Sequence, residues 1–159
     1  MYNINRVIKK LTPHRSAAEL FKYFSDEKDC VFLDSSLVNG LGRYSIIGMR
    51  PYLKLVKDDH GFFINEQKVS ELSFEEYLSE HKDQNKSGLP MLSGAIGYFS
   101  YEYGRKLMEI PSHKENLVTI PDAVLVFYDM YIIEDCHEKK TFLVANGITE
   151  DAEKLLKSV

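Results

Sequence analysis

The stretch that decides our interpretation of this chain is Phe32-Leu33-Asp34-Ser35-Ser36, followed after a short turn by Gly40-Leu41-Gly42-Arg43-Tyr44-Ser45-Ile46-Ile47-Gly48. Residues 30–33 and 46–47 are apolar or β-branched and predict two buried strands. Residues 39–42 contain an Asn-Gly and a Leu-Gly step, which favour a reversal of the chain. The sequence therefore predicts a hairpin-like closure with polar residues at its rim.

Four side chains at this rim carry the polar chemistry: Asp34, Ser35, Arg43 and Tyr44. An amino acid needs a carboxylate or lone pairs for its ammonium group, and a guanidinium or free N–H groups for its carboxylate. Both kinds of group are present, so the rim is a candidate pocket for a zwitterion. The alternative is structural, because charge pairs on strands usually serve the fold. In that case Asp34 and Arg43 pair across the hairpin and Tyr44 belongs to the core.

Composition limits what the chain can do alone. Its 159 residues are 44% hydrophobic and 12% aromatic, which suits one core, and we predict a single domain over 1–159. The net charge of −4, with acidic and basic residues interleaved, argues against nucleic acid or an anionic membrane as a partner. We find no apolar run long enough to span a bilayer. A polar N-terminus and only two cysteines, Cys30 and Cys136, predict a cytoplasmic protein with free thiols.

Local patterns predict helices and hairpins in mixed order. Capping-box spacing at Ser16/Glu19 and Ser73/Glu76 predicts two helices. Hairpins are predicted from residues 51–57 with 62–65 and from 131–134 with 141–144, around charged turns. The remaining predictions are a strand within 91–101 that another backbone approaches closely, a short helix over 101–108, a central hydrophobic strand over 123–128, and a terminal helix capped by Thr149.

This order lacks the strand–helix–strand alternation of a parallel sheet. We therefore predict an α+β fold in which antiparallel sheets pack together with helices on the outside. The polar run 81–88 predicts a mobile loop. The last helical pattern is interrupted at Val159, so we expect the native chain to continue.

Catalytic patterns are scarce. The five histidines occur singly, without Cys, Asp or His at metal-ligand spacing, so we predict neither a metal site nor catalytic residues in this chain. The glycines at 94 and 97 do not match a nucleotide-binding loop, and a Gly-x-Ser-x-Gly elbow is missing. Acidic pairs at 58–59, 75–76 and 134–135 are interpreted as solvated surface. The residues alone indicate an α+β binding or regulatory domain.

Four segments, taken in order, resemble the N-terminal region of component I of anthranilate synthase and of its sister, aminodeoxychorismate synthase. They are Phe32-Leu33-Asp34-Ser35, Gly42 to Gly48 with Pro51, Gly94 to Tyr101, and Pro121-Asp122 with Tyr128-Asp129. The run Tyr103 to Glu109 resembles a Leu-Gly-Arg-Arg-like run of the aminodeoxychorismate branch, which makes para-aminobenzoate for folate. That branch is favoured, and the anthranilate branch of tryptophan biosynthesis stays open.

The resemblance implies what the whole subunit does. Family members take chorismate and ammonia, delivered by a glutamine amidotransferase subunit, and make an aminated chorismate. Their chorismate- and Mg²⁺-binding residues belong to a larger C-terminal domain, which this chain lacks. We therefore expect the chain to be the regulatory and structural half of such an enzyme, without a cofactor or aminating activity of its own.

The resemblance also implies a tryptophan site. In the family, a Leu-[acid or His]-Ser motif and an Arg-aromatic pair line that site, and they correspond to Asp34, Ser35, Leu41, Gly42, Arg43 and Tyr44. Asp34 replaces the Glu or His often found there and reaches about one methylene less far, which affects affinity. A hypothesis of another class is a free-standing amino-acid-binding module that uses the fold without catalysis.

Overall fold

The computed structural model describes residues 5–80, 87–111 and 119–159. The strands are β1 (Val7–Lys10), β2 (Val31–Leu33), β3 (Tyr44–Asp58), β4 (Gly61–Ile64), β5 (Gln67–Val69), β6 (Ala95–Phe99), β7 (Ala123–Asp135) and β8 (Lys140–Ala145). The helices are α1 (Ala17–Phe21), α2 (Phe74–Glu80), α3 (Tyr101–Leu107) and α4 (Ala152–Lys157). Neighbouring strands pair antiparallel. The predicted α+β class with antiparallel sheet is confirmed.

The chain forms two compact units. The first comprises Met1–Tyr52, Gln84–Gly94 and Tyr128–Val159, and the second comprises Leu53–Asp83 and Ala95–Phe127. The expectation that residues 1–159 act as one domain of a longer protein stays a prediction.

In the first unit, β8 lies between β1 and the C-terminal part of β7, and β2 pairs with the start of β3. Buried apolar residues of the strands pack with those of α1 and α4 into one core. Its members are Ala17, Leu20, Phe24, Ile47, Met49, Met130, Ile132, Leu143, Ala145, Ala152, Leu155 and Leu156. Because each helix contributes one apolar face to this core, the sheet is covered by helices, as the sequence predicts.

Local capping signals define α1 as predicted. Ser16 accepts a hydrogen bond from the Glu19 backbone N–H, and the Glu19 carboxylate accepts one from the Ser16 N–H. The predicted cap of the terminal helix is wrong, since α4 is capped by Asp151. Thr149 instead donates its hydroxyl to Asp129 at 2.6 Å, which removes that side chain from the helix end.

Two strands are longer than the sequence predicts. Residues 46–47 and 51–57 belong to one strand, β3, although Arg50 has a left-handed φ of 56° and Pro51 follows it. Residues 123–128 and 131–134 likewise belong to one strand, β7. Asp129 does not interrupt β7, because its buried carboxylate accepts hydrogen bonds from the backbone N–H groups of Ile148 and Thr149. A satisfied carboxylate can remain inside a buried strand.

In the second unit, β4 pairs with the end of β3 and with β5, and β6 pairs with the start of β7. The predicted turn is confirmed, with Asp58 accepting from the N–H groups of His60 and Gly61. The capping box at Ser73 and Glu76 starts α2 as predicted. Strand β5 was not predicted, since it has only three residues.

The close backbone approach predicted within 91–101 is confirmed at Gly97 on β6. A Cβ atom at this position would lie 1.9 Å from the carbonyl oxygen of Val124 on β7. Only glycine allows the two strands to pair at this spacing.

The structure describes only part of the predicted mobile loop at 81–88. Residues 81–86 are outside the described residues. Cys30 and Cys136 are free thiols. Within the described ranges, no helix combines the length and apolarity needed to cross a membrane.

Candidate functional site

Antiparallel pairing of β2 with β3 brings the predicted site residues to one rim of the first unit. The pairing joins Leu33 to Ile46, so Asp34 and Ser35 leave β2 where Tyr44 and Ser45 enter β3. Two apolar strands position the polar groups, as the sequence predicts.

Asp34 and Ser35 are held together by Ser45. The Ser45 hydroxyl donates to Asp34 Oδ1 at 3.2 Å, and the Ser35 backbone N–H donates to Ser45 Oγ at 3.0 Å. The Ser35 hydroxyl donates to the carbonyl oxygen of Tyr44 at 2.6 Å. Asp34 is exposed and Ser35 is half-buried, so a ligand can reach both side chains.

Arg43 forms an ion pair with Asp135, the last residue of β7. Its Nε and Nη2 both donate to Asp135 Oδ2, at 3.0 and 2.6 Å. The hydrogen bond from Arg43 lowers the pKa of Asp135 below its usual value, and the same bond raises the pKa of Arg43. The guanidinium also lies 4.9 Å from the centre of the Tyr44 ring. The pair that we considered across the hairpin, Asp34 with Arg43, is replaced by this pair with Asp135.

Leu41 and Gly42 lie in the loop between the two strands. Asn39 Oδ1 accepts from the backbone N–H groups of both residues, at 2.8 and 2.9 Å. A Cβ atom at Gly42 would lie 2.3 Å from the Leu37 carbonyl oxygen, so the loop needs glycine at this position. The Leu41 side chain is 99% exposed, and its part in a ligand pocket stays a prediction.

Sequence reasoning missed the groups that hold the rim from behind, Ser45 and Asp135. It also interpreted the pair Glu134-Asp135 as solvated, which is wrong, because both residues are buried. Glu134 accepts from the backbone N–H of Ala17 at 2.6 Å and lies 3.1 Å from His14 Nε2. The apolar residues 131–133, which directly precede the pair in the chain, were the available signal for burial.

The other two acidic pairs are exposed or partly exposed but have defined partners in the second unit. Glu76 caps α2, and Glu75 accepts from the Tyr103 hydroxyl at 2.9 Å. Burial is the main cause, and this bond the second, that raises the pKa of Tyr103 to about 12. Asp59 binds Lys106 Nζ at 2.5 Å.

The run Tyr103 to Glu109 forms most of α3 and its C-terminal end. Arg105 donates to Glu102 and to the Ile110 carbonyl oxygen, and Lys106 Nζ donates to the buried carboxylate of Asp122 at 2.8 Å. A cleft of about 320 Å³ lies beside Tyr103 and Lys106. The basic residues of this run therefore hold α3 in its unit.

Across the described ranges, no cluster of three or more His, Cys, Asp or Glu residues could hold a metal ion.

Comparison with known proteins defines the class. Residues 28–158 match the family model described as chorismate binding enzyme, and the chain belongs to that family. It is 30% identical over 138 residues to anthranilate synthase component 1 of Acetivibrio thermocellus, covering 80% of this chain. It is 35% identical over 52 residues to aminodeoxychorismate synthase component 1 of Klebsiella aerogenes, covering 33% of this chain and 11% of that protein.

A solved structure agrees with these relatives. Anthranilate synthase component I from Streptococcus pneumoniae TIGR4 superposes with a TM-score of 0.62 over 91% of this chain, at 25% identity. These matches confirm the resemblance to component I of anthranilate and aminodeoxychorismate synthases that we inferred from the sequence. This chain spans 33% of that structure and 28% of the Acetivibrio protein, so it corresponds to about a third of such a component I.

Proposed function

We propose that this chain is the N-terminal regulatory and structural part of component I of a chorismate-aminating synthase, and that it binds a tryptophan-like amino acid at the rim formed by Asp34, Ser35, Arg43 and Tyr44. The observation that carries the site is the joining of Asp34 and Ser35 through Ser45. These contacts hold an exposed carboxylate and the next residue, a half-buried serine, at the rim, and both side chains can accept hydrogen bonds from an ammonium group. The family match supports the assignment of this chain to a chorismate-aminating synthase.

The proposed parent is aminodeoxychorismate synthase, which serves para-aminobenzoate and folate formation. The run Tyr103 to Glu109 supports this branch, as do relatives of that class at 35% and 36% identity over 52 and 53 residues. The anthranilate branch is the second candidate, because its relatives match over longer segments, up to 80% of the chain.

The proposal includes the partners that the chemistry requires. The chorismate-aminating centre and its Mg²⁺ are assigned to a C-terminal domain of the same cytoplasmic protein, and ammonia is assigned to a glutamine amidotransferase subunit. Residues 1–159 then supply the amino-acid site and a structural half.

A product assay tests the parent activity. The intact gene product is incubated with chorismate, Mg²⁺ and ammonium salts, and the products are separated by chromatography. We expect aminodeoxychorismate. Fluorescent anthranilate would instead establish the second candidate, and the absence of both products would overturn the synthase assignment.

Calorimetry on the intact gene product tests the amino-acid site. Asp34→Ala should weaken tryptophan binding about tenfold to a hundredfold, equivalent to roughly 1.5 to 3 kcal/mol, because a charged hydrogen bond to the ammonium group is lost. Its melting temperature without ligand should change little, since Asp34 is exposed. Ser35→Ala should weaken binding in the same range.

Ser36→Ala is the matched control, because Ser36 is an exposed neighbour in the same loop, and it should bind tryptophan as wild type does. If wild type does not bind, or if Asp34→Ala and Ser35→Ala bind equally well, the rim has a structural role only. Binding without amination would favour a free-standing amino-acid-binding module.

A further inference from the structure

We propose that Ser45 is a positioning residue that holds the Asp34 carboxylate and the Ser35 backbone at the rim, where the Asp34 carboxylate and the Ser35 hydroxyl each offer acceptors to a primary ammonium group. This inference rests on the proposed function and goes beyond it, because it assigns the orientation of the ligand and a residue that does not itself touch the ligand.

The contacts of the Ser45 hydroxyl use its one proton and both of its lone pairs. A hydroxyl has one proton to donate and two lone pairs that accept. Ser45 donates to Asp34 Oδ1 at 3.2 Å, accepts from the Ser35 N–H at 3.0 Å, and lies 3.6 Å from Cys136 Sγ. With its proton on Asp34, Ser45 accepts the weak S–H donor of Cys136. The side chain is buried at 2% exposure, so these contacts fix it from behind the rim.

The hydrogen bonds of Ser35 and Asp34 also limit which ligand groups the rim can bind. The hydroxyl proton of Ser35 is donated to the Tyr44 carbonyl oxygen at 2.6 Å. Only the lone pairs of that hydroxyl remain for a ligand, and an ionised Asp34 also offers only acceptors. Both side chains therefore require a ligand that donates protons, as an ammonium group with three N–H bonds does.

Charge favours the same orientation. The guanidinium of Arg43 is bound by Asp135, and among the described residues the exposed carboxylate of Asp34 has no ion-pair partner. The negative charge of Asp34 therefore favours a cationic group of the ligand. We infer that the rim selects its ligand through the amino group, and that the carboxylate of an amino acid contributes less to selection at this end.

The experiment uses calorimetry on the intact gene product with three indole compounds. Tryptophan has both charged groups, tryptamine has only the amino group, and indole-3-propionate has only the carboxylate. Wild type should bind tryptophan and tryptamine. Ser45→Ala should weaken both about three- to tenfold, because the Asp34 carboxylate and the Ser35 backbone are no longer held in place by its hydroxyl. Indole-3-propionate should bind both proteins equally.

Ser45→Thr is the conservative variant, because it keeps the hydroxyl and suits a strand. It should retain tryptophan affinity within about twofold. Ser36→Ala should leave all three affinities unchanged. Thermal melts establish that each variant is folded at the temperature of the titration.

The outcomes separate the two proposals. If wild type binds none of the three compounds, the proposed amino-acid site is wrong, and the role of Ser45 falls with it. If wild type binds tryptophan and Ser45→Ala binds it equally well, only the positioning role is overturned. An equal loss for all three compounds would indicate a general structural effect, and a preference for indole-3-propionate over tryptamine would overturn recognition through the amino group.

Discussion

Gly97 is the residue whose substitution should harm the fold most directly. A Cβ atom there would lie 1.9 Å from the backbone oxygen of Val124, and a strand backbone cannot retreat as a flexible side chain can. Gly97→Ala should lower the free energy of unfolding by about 3 kcal/mol or more. Urea unfolding followed by circular dichroism measures this loss.

Gly104→Ala is the matched control, because nothing lies within 4 Å of a Cβ atom at this position in α3. Alanine is the better helix former, so this change should stabilise the protein by about 0.5 to 1 kcal/mol. Equal effects of the two substitutions would contradict the pairing of β6 with β7 at Gly97.

The pair between Arg43 and Asp135 should make stability depend on pH. The hydrogen bond from Arg43 holds the pKa of Asp135 below its ordinary value of 3.8. A carboxyl group with a lowered folded pKa contributes stability above its unfolded pKa and loses that contribution as the pH falls through the folded pKa.

Asp135→Asn should therefore be less stable than wild type by a constant amount from about pH 5 to pH 7, and the difference should shrink below about pH 4. Melting temperatures of both proteins between pH 2 and pH 7 measure it. A difference that stays constant down to pH 2 would show that the ion pair does not contribute.

At the scale of elements, β7 carries much of the buried surface of the chain, and 12 of its 13 residues are buried. Phe127 is 9% exposed and pairs with Ala95 of β6. Phe127→Ala should destabilise the protein by about 3 to 5 kcal/mol, because it removes buried apolar surface and leaves a cavity.

Denaturant melts measure this loss, with Tyr101→Ala as the control. Tyr101 is 87% exposed, so its removal should change stability by less than about 0.5 kcal/mol. A loss below about 1 kcal/mol for Phe127→Ala would mean that the strand is not held by the packing at this position.

At the scale of the whole molecule, residues 1–159 alone should not aminate chorismate with either glutamine or ammonium salts. The chain covers 28% of the Acetivibrio protein and 33% of the Streptococcus structure, and we propose that the acid–base groups and metal ligands lie in the remainder. Product formation above a blank without protein would contradict this assignment.

Features that depend on residues close in sequence were predicted correctly. The capping box at Ser16 and the turn at Asp58 depend on partners two or three residues away, and the closure between β2 and β3 depends on partners 13 to 17 residues away. The strand within 91–101 was also predicted to be approached by another backbone, because alternating small residues in a strand favour close approach, and the approach occurs at Gly97. These local signals were enough for the α+β class and for most of the rim.

Only the tertiary structure decided the long-range partners. Arg43 binds Asp135, 92 residues away, and Glu134 binds the N–H of Ala17, 117 residues away. The continuity of β7 through Asp129 depends on the N–H groups of Ile148 and Thr149, which lie beyond β8, 19 and 20 residues further along the chain. The burial of Ser45, and the role that we propose for it, depend on the register that places Asp34, Ser35 and Cys136 around it. A residue pattern records which side chains are polar, but the partner of each one is set by how strands pair, because register determines which distant groups come within hydrogen-bonding distance.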